Sequence, residues 1–186
     1  LFRSAMLAMH DPKAAADELE RGVKQLGFVG ALLNGQTQGF YYDDPRYLPF
    51  WERVAALGVP IYLHPGHPQE TPAACRGYRG LNSAIWGWMA ESGGHALRLV
   101  LSGLFDRLPT LTIILGHMGE ALPYSLWRID SRYGIGLHKV KLAKKPAHYI
   151  RENFGVTTAG VFDLPPLECA IAAMGEDRVL FSVDYP

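Results

Sequence analysis

The chain of 186 residues has no excess of charge, because its 18 lysines and arginines are matched by 18 aspartates and glutamates. Nucleic acids and acidic membranes bind basic surfaces, so this balance argues against both as partners. No apolar run approaches the roughly 20 residues that a transmembrane helix requires. The two cysteines, Cys75 and Cys169, form no Cys-x-x-Cys motif. We therefore expect free thiols and a cytoplasmic protein.

Three short apolar segments each end on a polar side chain of the metal-ligand type. Residues 60–63 are followed by His64, residues 112–116 by His117, and residues 179–183 by Asp184. Wholly apolar strands are typical of buried parallel sheets, and the carboxyl ends of such strands are where α/β proteins place their chemistry. The repetition predicts that these three side chains meet at one edge of a sheet.

Strand and helix patterns alternate along the chain. A helix is predicted from Pro12 to Leu26, for example, between the N-cap Asp11 and the terminating Gly27. Six strand candidates in such an order indicate a parallel sheet with right-handed crossovers, and favour an α/β fold of the (β/α)₈ TIM-barrel type. Because the sequence stops directly after a strand pattern, we expect residues 1–186 to be a single partial barrel domain, truncated at both ends, with about six of the eight strands.

Two further local predictions concern the helical regions. The segment from about Asn82 to Phe105 has a helical pattern that we expect to break near Gly93 and Gly94. Lysines 139, 141, 144 and 145 are most simply interpreted as a solvated surface segment.

His64 and Asp184 are the candidate metal ligands. Imidazole nitrogen and carboxylate oxygen are a natural pair for a divalent ion such as Zn²⁺ or Mn²⁺. A lone histidine is more often structural than a ligand. The place of His64 at a strand end, matched by His117 and Asp184 on later strands, favours the ligand interpretation.

Glu120 and Asn34 have two interpretations each. Glu120 stands three residues after His117, so on the first turn of a helix its carboxylate could hold the imidazole as a general acid/base pair requires. It could equally be a glutamate that stabilises the helix dipole. Asn34 could hydrogen-bond a substrate at the end of its strand, or simply form a turn with Gly35.

Four segments together resemble one known family. The sequences of residues 31–35 (Ala-Leu-Leu-Asn-Gly), 62–65 (Tyr-Leu-His-Pro), 116–120 (Gly-His-Met-Gly-Glu) and 181–186 (Phe-Ser-Val-Asp-Tyr-Pro) are similar to the amidohydrolase-related metal-dependent decarboxylases. The resemblance is to the γ-resorcylate and 2,3-dihydroxybenzoate decarboxylases, and more distantly to aminocarboxymuconate semialdehyde decarboxylase. The resemblance covers essentially the whole chain.

The resemblance implies a barrel of the metal-dependent hydrolase type that acts as a carboxy-lyase, releasing CO₂ from a dihydroxybenzoate without oxidation. His64 and Asp184 would bind one divalent ion (Zn²⁺ or Mn²⁺, with Mg²⁺ possible), and Asp184 would also be the proton donor. His117, supported by Glu120, would be the active-site histidine and would contact substrate together with Asn34. A small aromatic carboxylate and a homodimer or homotetramer are implied as partners.

The sequence departs from the family in one respect. The family's first strand carries a Glu-x-His or His-x-His pair of metal ligands, and neither tripeptide occurs in these 186 residues. We expect the pair within about 100 residues before Leu1, roughly two barrel strands with their helices, and expect this chain alone to be inactive. Hydrolysis of a lactone or amide, and a non-catalytic barrel that serves as an interaction subunit, are the alternative functions.

Overall fold

The computed structural model describes residues 4–136 and 140–184. Six parallel strands form one sheet in sequence order: β1 (Ser4–Met6), β2 (Gly30–Asn34), β3 (Ile61–His64), β4 (Ile113–Leu115), β5 (Phe154–Thr157) and β6 (Val179–Leu180). Because every connection moves along the sheet in the same direction, the order is that of a TIM barrel, whereas a doubly wound sheet reverses its order. The α/β fold and the six strands are confirmed.

Eight helical segments of four or more residues connect or follow these strands within the described residues. They are α1 (Pro12–Leu26), α2 (Leu48–Leu57), α3 (Gly87–Leu101), α4 (Leu104–Arg107), α5 (His117–Glu120), α6 (Leu122–Tyr133), α7 (Pro146–Asn153) and α8 (Leu164–Met174). Helix α1 has the predicted bounds, since the Asp11 carboxylate accepts hydrogen bonds from two backbone N–H groups and Gly27 closes the helix at φ = +69°. No helix of these described segments is long and apolar enough to cross a bilayer.

The two faces of the sheet differ in what covers them. Side chains on one face, such as Leu33, Leu63 and Val156, are buried beneath the helices. Residues in the alternate positions point to the opposite face, where Leu32 pairs with Tyr62 and Asn34 pairs with His64 in register. Partners in parallel register share a face, so the polar strand ends project from the face that the helices leave open.

The predicted helix break at Gly93 and Gly94 is wrong. Helix α3 runs through both glycines, and the break comes at Gly103, whose φ is +79°. A β-carbon built on Gly93 would lie 3.0 Å from the Glu120 carbonyl oxygen, whereas one on Gly94 would meet nothing within 4 Å. Gly93 therefore permits close packing of α3 against the segment that carries Glu120.

Helix α7 was not anticipated from the sequence. It follows the lysine-rich segment, whose Lys141, Lys144 and Lys145 are exposed as expected, while Lys139 lies outside the described residues. Pro146 lies in the first turn of α7, where a backbone N–H has no partner within the helix and its absence is therefore tolerated. Ile150 of the same helix is buried. A helix of eight residues gives too short a pattern for periodicity to identify.

Alanine substitutions at the two adjacent glycines of α3 should separate helix propensity from packing. Gly94→Ala should raise the free energy of unfolding by about 1 kcal/mol, because an exposed helical alanine is favoured over glycine. Gly93→Ala should gain less or lose stability, because its methyl group presses on the Glu120 carbonyl. Urea denaturation measures both, and equal stabilisation by the two variants would contradict the close contact.

Candidate active site

His64 is the last residue of β3, at the carboxyl end of the sheet. Its Nδ1 lies 2.9 Å from the carbonyl oxygen of Pro65. A carbonyl oxygen can only accept, so this contact assigns the proton of a neutral imidazole to Nδ1. The lone pair is thereby placed on Nε2, which is the arrangement that metal-ligating histidines use.

His117 and Glu120 lie on a left-handed turn that follows β4. All five residues from His117 to Ala121 have positive φ, between 49° and 80°. Glu120 was expected on the first turn of an ordinary helix, and that expectation is wrong, because the right-handed helix α6 begins only at Leu122. The space at the centre of the turn is restricted, since a β-carbon on Gly119 would lie 2.7 Å from Val156 Cγ1.

The left-handed turn carries a conformational cost. A left-handed residue other than glycine costs roughly 1–2 kcal/mol, and four of the five residues are not glycine. Backbone outliers of this kind persist where the surrounding structure holds them, and they cluster at functional sites. Asp184 is a further positive-φ residue, with φ = +56°. The chain therefore adopts an unfavourable backbone conformation at both residues whose side chains meet.

Three side chains form one hydrogen-bonded row. Glu120 Oε1 lies 2.7 Å from His117 Nδ1, and His117 Nε2 lies 3.3 Å from Asp184 Oδ2. The Glu120 side chain is 0% exposed, whereas that of Asp184 is 47% exposed. The row thus runs from a buried carboxylate, through an imidazole, to a carboxylate that faces solvent. Such an arrangement can hold a proton at Nδ1 and exchange one between Nε2 and Asp184.

The buried carboxylate governs the electrostatics of this row. The Glu120 hydrogen bond raises the pKa of His117, although partial burial of the ring opposes the shift. Burial raises the pKa of Glu120 itself, and the His117 contact only partly offsets that effect. Its second oxygen, Oε2, has no hydrogen-bond partner within the described structure. His117 is consequently the group that makes a charged Glu120 tolerable at this depth.

A cavity of about 440 Å³ opens on the uncovered face of the sheet. His64 and Asp184 both line it, together with the apolar side chains of Leu32 and Ile114. His117 contacts the Asp184 carboxylate and lines a second, apolar cavity beside α6 and α8. The structure therefore places the predicted metal pair at one cavity, with the predicted acid/base histidine in contact with one member of that pair.

Sequence reasoning missed two polar residues of this cavity, Tyr62 and Thr157. The Tyr62 hydroxyl lies 3.3 Å from Thr157 Oγ1, and burial raises the pKa of Tyr62. Gly116 makes room for this contact, because a β-carbon there would lie 2.7 Å from the Tyr62 hydroxyl. Thr157 ends β5 on a polar residue, as His64 ends β3, so the same strand-end pattern could have identified it.

Asn34 ends β2 in register with His64 and is exposed. Its side-chain amide nitrogen lies 4.0 Å from Met6 Sδ, and its backbone carbonyl oxygen accepts a hydrogen bond from the Tyr42 hydroxyl. Its predicted contact with substrate stays a prediction, as do the roles of His64, His117, Glu120 and Asp184.

The donor types at the cavity fit a divalent cation, but their number is small. Imidazole Nε2 of His64 and the Asp184 carboxylate are suitable ligands for Zn²⁺ or Mn²⁺. Across residues 4–136 and 140–184, no three histidine, cysteine, aspartate or glutamate side chains are grouped closely enough to hold a metal ion. A catalytic site commonly has three protein ligands, so these residues supply only part of a complete site.

Parallel strands in sequential order, with histidine and aspartate at their carboxyl ends beside one cavity, define a barrel-type α/β protein with a potential metal site. The chain belongs to the amidohydrolase family, whose Amidohydro_2 model matches residues 1–186.

Several known members of this family are similar to the chain. It is 51% identical over 191 residues to γ-resorcylate decarboxylase of Polaromonas sp. strain JS666, covering 98% of this chain and 59% of that protein. A crystal structure of dihydroxybenzoic acid decarboxylase from Polaromonas sp. JS666, with bound manganese and the inhibitor 2-nitroresorcinol, superposes with a TM-score of 0.89 at 49% identity, covering 98% of this chain and 58% of that one. The 5-carboxyvanillate decarboxylase of Sphingomonas paucimobilis gives 0.93 at 42% identity, with coverages of 98% and 56%. The chain thus spans somewhat more than half of each relative.

Removing the Glu120 charge should lower the pKa of His117. In the unsubstituted chain this pKa lies above its ordinary value of 6.5, so protonation of His117 stabilises the fold at low pH and the contribution is lost as the pH rises through the folded-state pKa. Glu120→Gln should bring the pKa down, because the amide cannot balance the imidazolium charge. An NMR titration of the His117 ring measures it.

The matched comparison is Asp184→Asn, which should lower the pKa of His117 by less, since the Glu120 contact is shorter and is the larger cause of the shift. An unchanged pKa in Glu120→Gln would show that the buried carboxylate does not hold the imidazole.

Proposed function

We propose that the whole protein that carries this chain is a carboxy-lyase that releases CO₂ from a hydroxybenzoate in a metal-dependent, non-oxidative reaction. The observation that carries the proposal is the position of Asp184, which lines one cavity with His64 and lies 3.3 Å from His117 Nε2. This arrangement occurs in a chain that is 51% identical to a γ-resorcylate decarboxylase. The Asp184 carboxylate thus shares a cavity with one histidine and contacts a second, which supports its proposed double role as metal ligand and proton donor.

His64 and Asp184 are the residues of this chain that would hold one divalent cation. The manganese in the Polaromonas structure supports Mn²⁺. Zn²⁺ and Mg²⁺ are the alternative ions for a site that combines imidazole and carboxylate ligands. When bound, the cation supplies Lewis-acid polarisation of the substrate's carboxylate and ortho-hydroxyl oxygens. The remaining ligands would come from the part of the whole protein that this chain does not span.

The proton needed by the ring carbon would come from Asp184. Protonation of the carbon that bears the carboxylate interrupts the aromatic ring, and cleavage of the carbon–carbon bond then releases CO₂ and restores aromaticity. His117 Nε2, in contact with Asp184 Oδ2, is placed to return a proton to the carboxylate. Glu120 holds the opposite ring nitrogen, so the imidazole keeps one orientation through the cycle.

The cavity is suited to a flat aromatic acid. Leu32 and Ile114 provide apolar walls, and Tyr62 also lines the cavity. We propose a dihydroxybenzoate as the substrate, with Asn34 and His117 hydrogen-bonding its polar groups. The 2,6-dihydroxybenzoate bound in one related decarboxylase structure, which is 46% identical to this chain, supports that class of compound.

Assembly and location follow as further parts of the proposal. We propose a cytoplasmic homodimer or homotetramer that acts as a single barrel domain of which residues 1–186 are a part. Tyr78, Trp86 and Trp127 are 74%, 54% and 78% exposed, and aromatic side chains of this kind are enriched at interfaces between subunits. Cys75 and Cys169 are free thiols, which suits a reducing compartment.

The test is CO₂ release from a panel of hydroxybenzoates by the whole protein loaded with Mn²⁺. Asp184→Asn should lower kcat by about 10³-fold or more, because the amide neither donates the proton nor binds the cation well. His64→Gln should lower the Mn²⁺ content as well as the rate. Its matched control is His148→Gln, an exposed histidine on α7 that should leave both unchanged.

A parallel panel of lactones and amides distinguishes the alternative functions. Release of acid from a lactone without CO₂ release from any hydroxybenzoate would identify a hydrolase and overturn the proposal. Turnover of neither panel by a folded, metal-loaded protein would support an interaction subunit instead.

Residues 1–186 expressed alone should show no metal-dependent CO₂ release. The described residues supply two suitable ligands from one cavity, which is too few for tight binding of a divalent ion. Titration with Mn²⁺, followed by the same CO₂ assay, checks this expectation. Activity of the isolated chain would show that His64 and Asp184 suffice.

A further inference from the structure

The chain turns sharply after β5, and this turn lies against the pair formed by His117 and Asp184. The Val161 N–H donates to the Thr158 carbonyl oxygen (3.0 Å) and closes a four-residue turn. Gly160, the third residue, has φ = +64°, the conformation that favours glycine at this position of a turn. Ala159 between them is buried, so the turn is anchored in the core.

The Thr158 side chain extends the sheet beyond the end of β6. Backbone pairing between β5 and β6 ends where the Thr158 N–H donates to the Leu180 carbonyl oxygen (3.1 Å). The Thr158 hydroxyl then donates to the Ser182 carbonyl oxygen (2.7 Å) and accepts from the Ser182 N–H (3.0 Å). The turn directs the backbone after β5 away from Ser182. The Thr158 hydroxyl therefore supplies the donor and the acceptor that the backbone of a neighbouring strand would otherwise provide.

The two hydrogen bonds fix the residue that lies two positions before Asp184. No strand includes residues 181–184, and Phe181 and Val183 are 78% and 48% exposed. Among the described residues, the side chains on either side of Ser182 therefore offer little packing to hold this segment. The two hydrogen bonds of the Thr158 hydroxyl are the contacts by which the described residues direct the segment as it leaves the sheet.

Gly160 has no side chain, and this leaves the space in which His117 and Asp184 meet. A β-carbon built on Gly160 would lie 3.0 Å from Asp184 Oδ2 and 3.1 Å from His117 Cδ2. Both distances are tighter than ordinary van der Waals contact, so any larger residue would have to push the carboxylate or the ring aside. The bare α-carbon forms one wall of the space in which Asp184 and His117 make contact.

We infer that Thr158 and Gly160 are positioning residues that together fix the Asp184 carboxylate against His117: Thr158 by holding the Ser182 backbone, and Gly160 by leaving room for the pair. The inference rests on the proposed function, because it concerns the placement of the proposed proton donor. Neither residue exchanges a proton with substrate or binds the cation.

Substitution of Thr158 tests the first half of the inference in the whole protein. Thr158→Val keeps the shape but removes both hydrogen bonds, so exchange of the Ser182 amide hydrogen should be about tenfold faster, the equivalent of one lost hydrogen bond. kcat for CO₂ release should fall about 10- to 100-fold while KM changes much less, because a misplaced proton donor affects the chemical step more than binding. Thr158→Ser, which retains the hydroxyl, should restore both quantities.

Substitution of Gly160 tests the second half, with a control matched in backbone conformation. Gly160→Ala and Gly58→Ala both place an alanine at φ = +64°, but a β-carbon on Gly58 would meet nothing within 4 Å. Gly160→Ala should shift the ¹⁵N resonance of His117 Nε2 and lower kcat. Gly58→Ala should carry the same backbone penalty and change neither.

Three results would overturn the inference. They are an unchanged Ser182 exchange rate and kcat in Thr158→Val, failure of Thr158→Ser to restore what Thr158→Val loses, and equal effects of the two glycine substitutions. If the unsubstituted protein releases no CO₂, the proposed function fails, and the Ser182 exchange rate and the His117 resonance still decide whether the turn holds Asp184 in place.

Discussion

The hydrogen bond between the buried Glu120 carboxylate and His117 is the interaction on which the rest of the site depends. A carboxylate with no exposed surface is costly unless a partner balances its charge, and His117 is that partner at 2.7 Å. The contact occupies the ring nitrogen Nδ1 and orients the other ring nitrogen, Nε2, toward Asp184. An imidazole held in this way keeps one orientation and a proton on Nδ1, so that Nε2 is the nitrogen left to gain or lose a proton.

The left-handed turn explains how this contact is made without a regular helix. Residues 117–121 reverse the usual helical hand, at a cost in backbone energy that the surrounding packing has to offset. Close approaches that only glycine allows bring neighbouring elements against the turn. Gly119 sits against Val156, and Gly93 of α3 sits against the Glu120 carbonyl group. Packing of α3 and β5 around the turn thus belongs to the site as much as the polar residues do.

The open face of the sheet explains why the polar residues gather where they do. Helices cover one face with leucine, isoleucine and valine side chains, and the alternate positions of the strands point away from them. Parallel strands all end at the same edge, so His64 and Thr157 at the ends of β3 and β5, and Asp184 after β6, line one shared cavity. Members of the amidohydrolase family such as the dihydroxybenzoate and carboxyvanillate decarboxylases share this frame.

The sequence by itself determined the local elements and indicated the type of site. Asp11 and Gly27 fixed the ends of α1, apolar runs located the strands, and His64, His117 and Asp184 at strand ends indicated a metal-type site, because these signals act over a few residues. Only the tertiary structure decided the hand of the turn at residues 117–121, the continuity of α3 through Gly93, and the support that Thr158 and Gly160 give to Asp184. These depend on contacts between residues more than 20 positions apart in sequence, which no local pattern records, since a glycine or threonine has the same propensities whatever it comes to lie against.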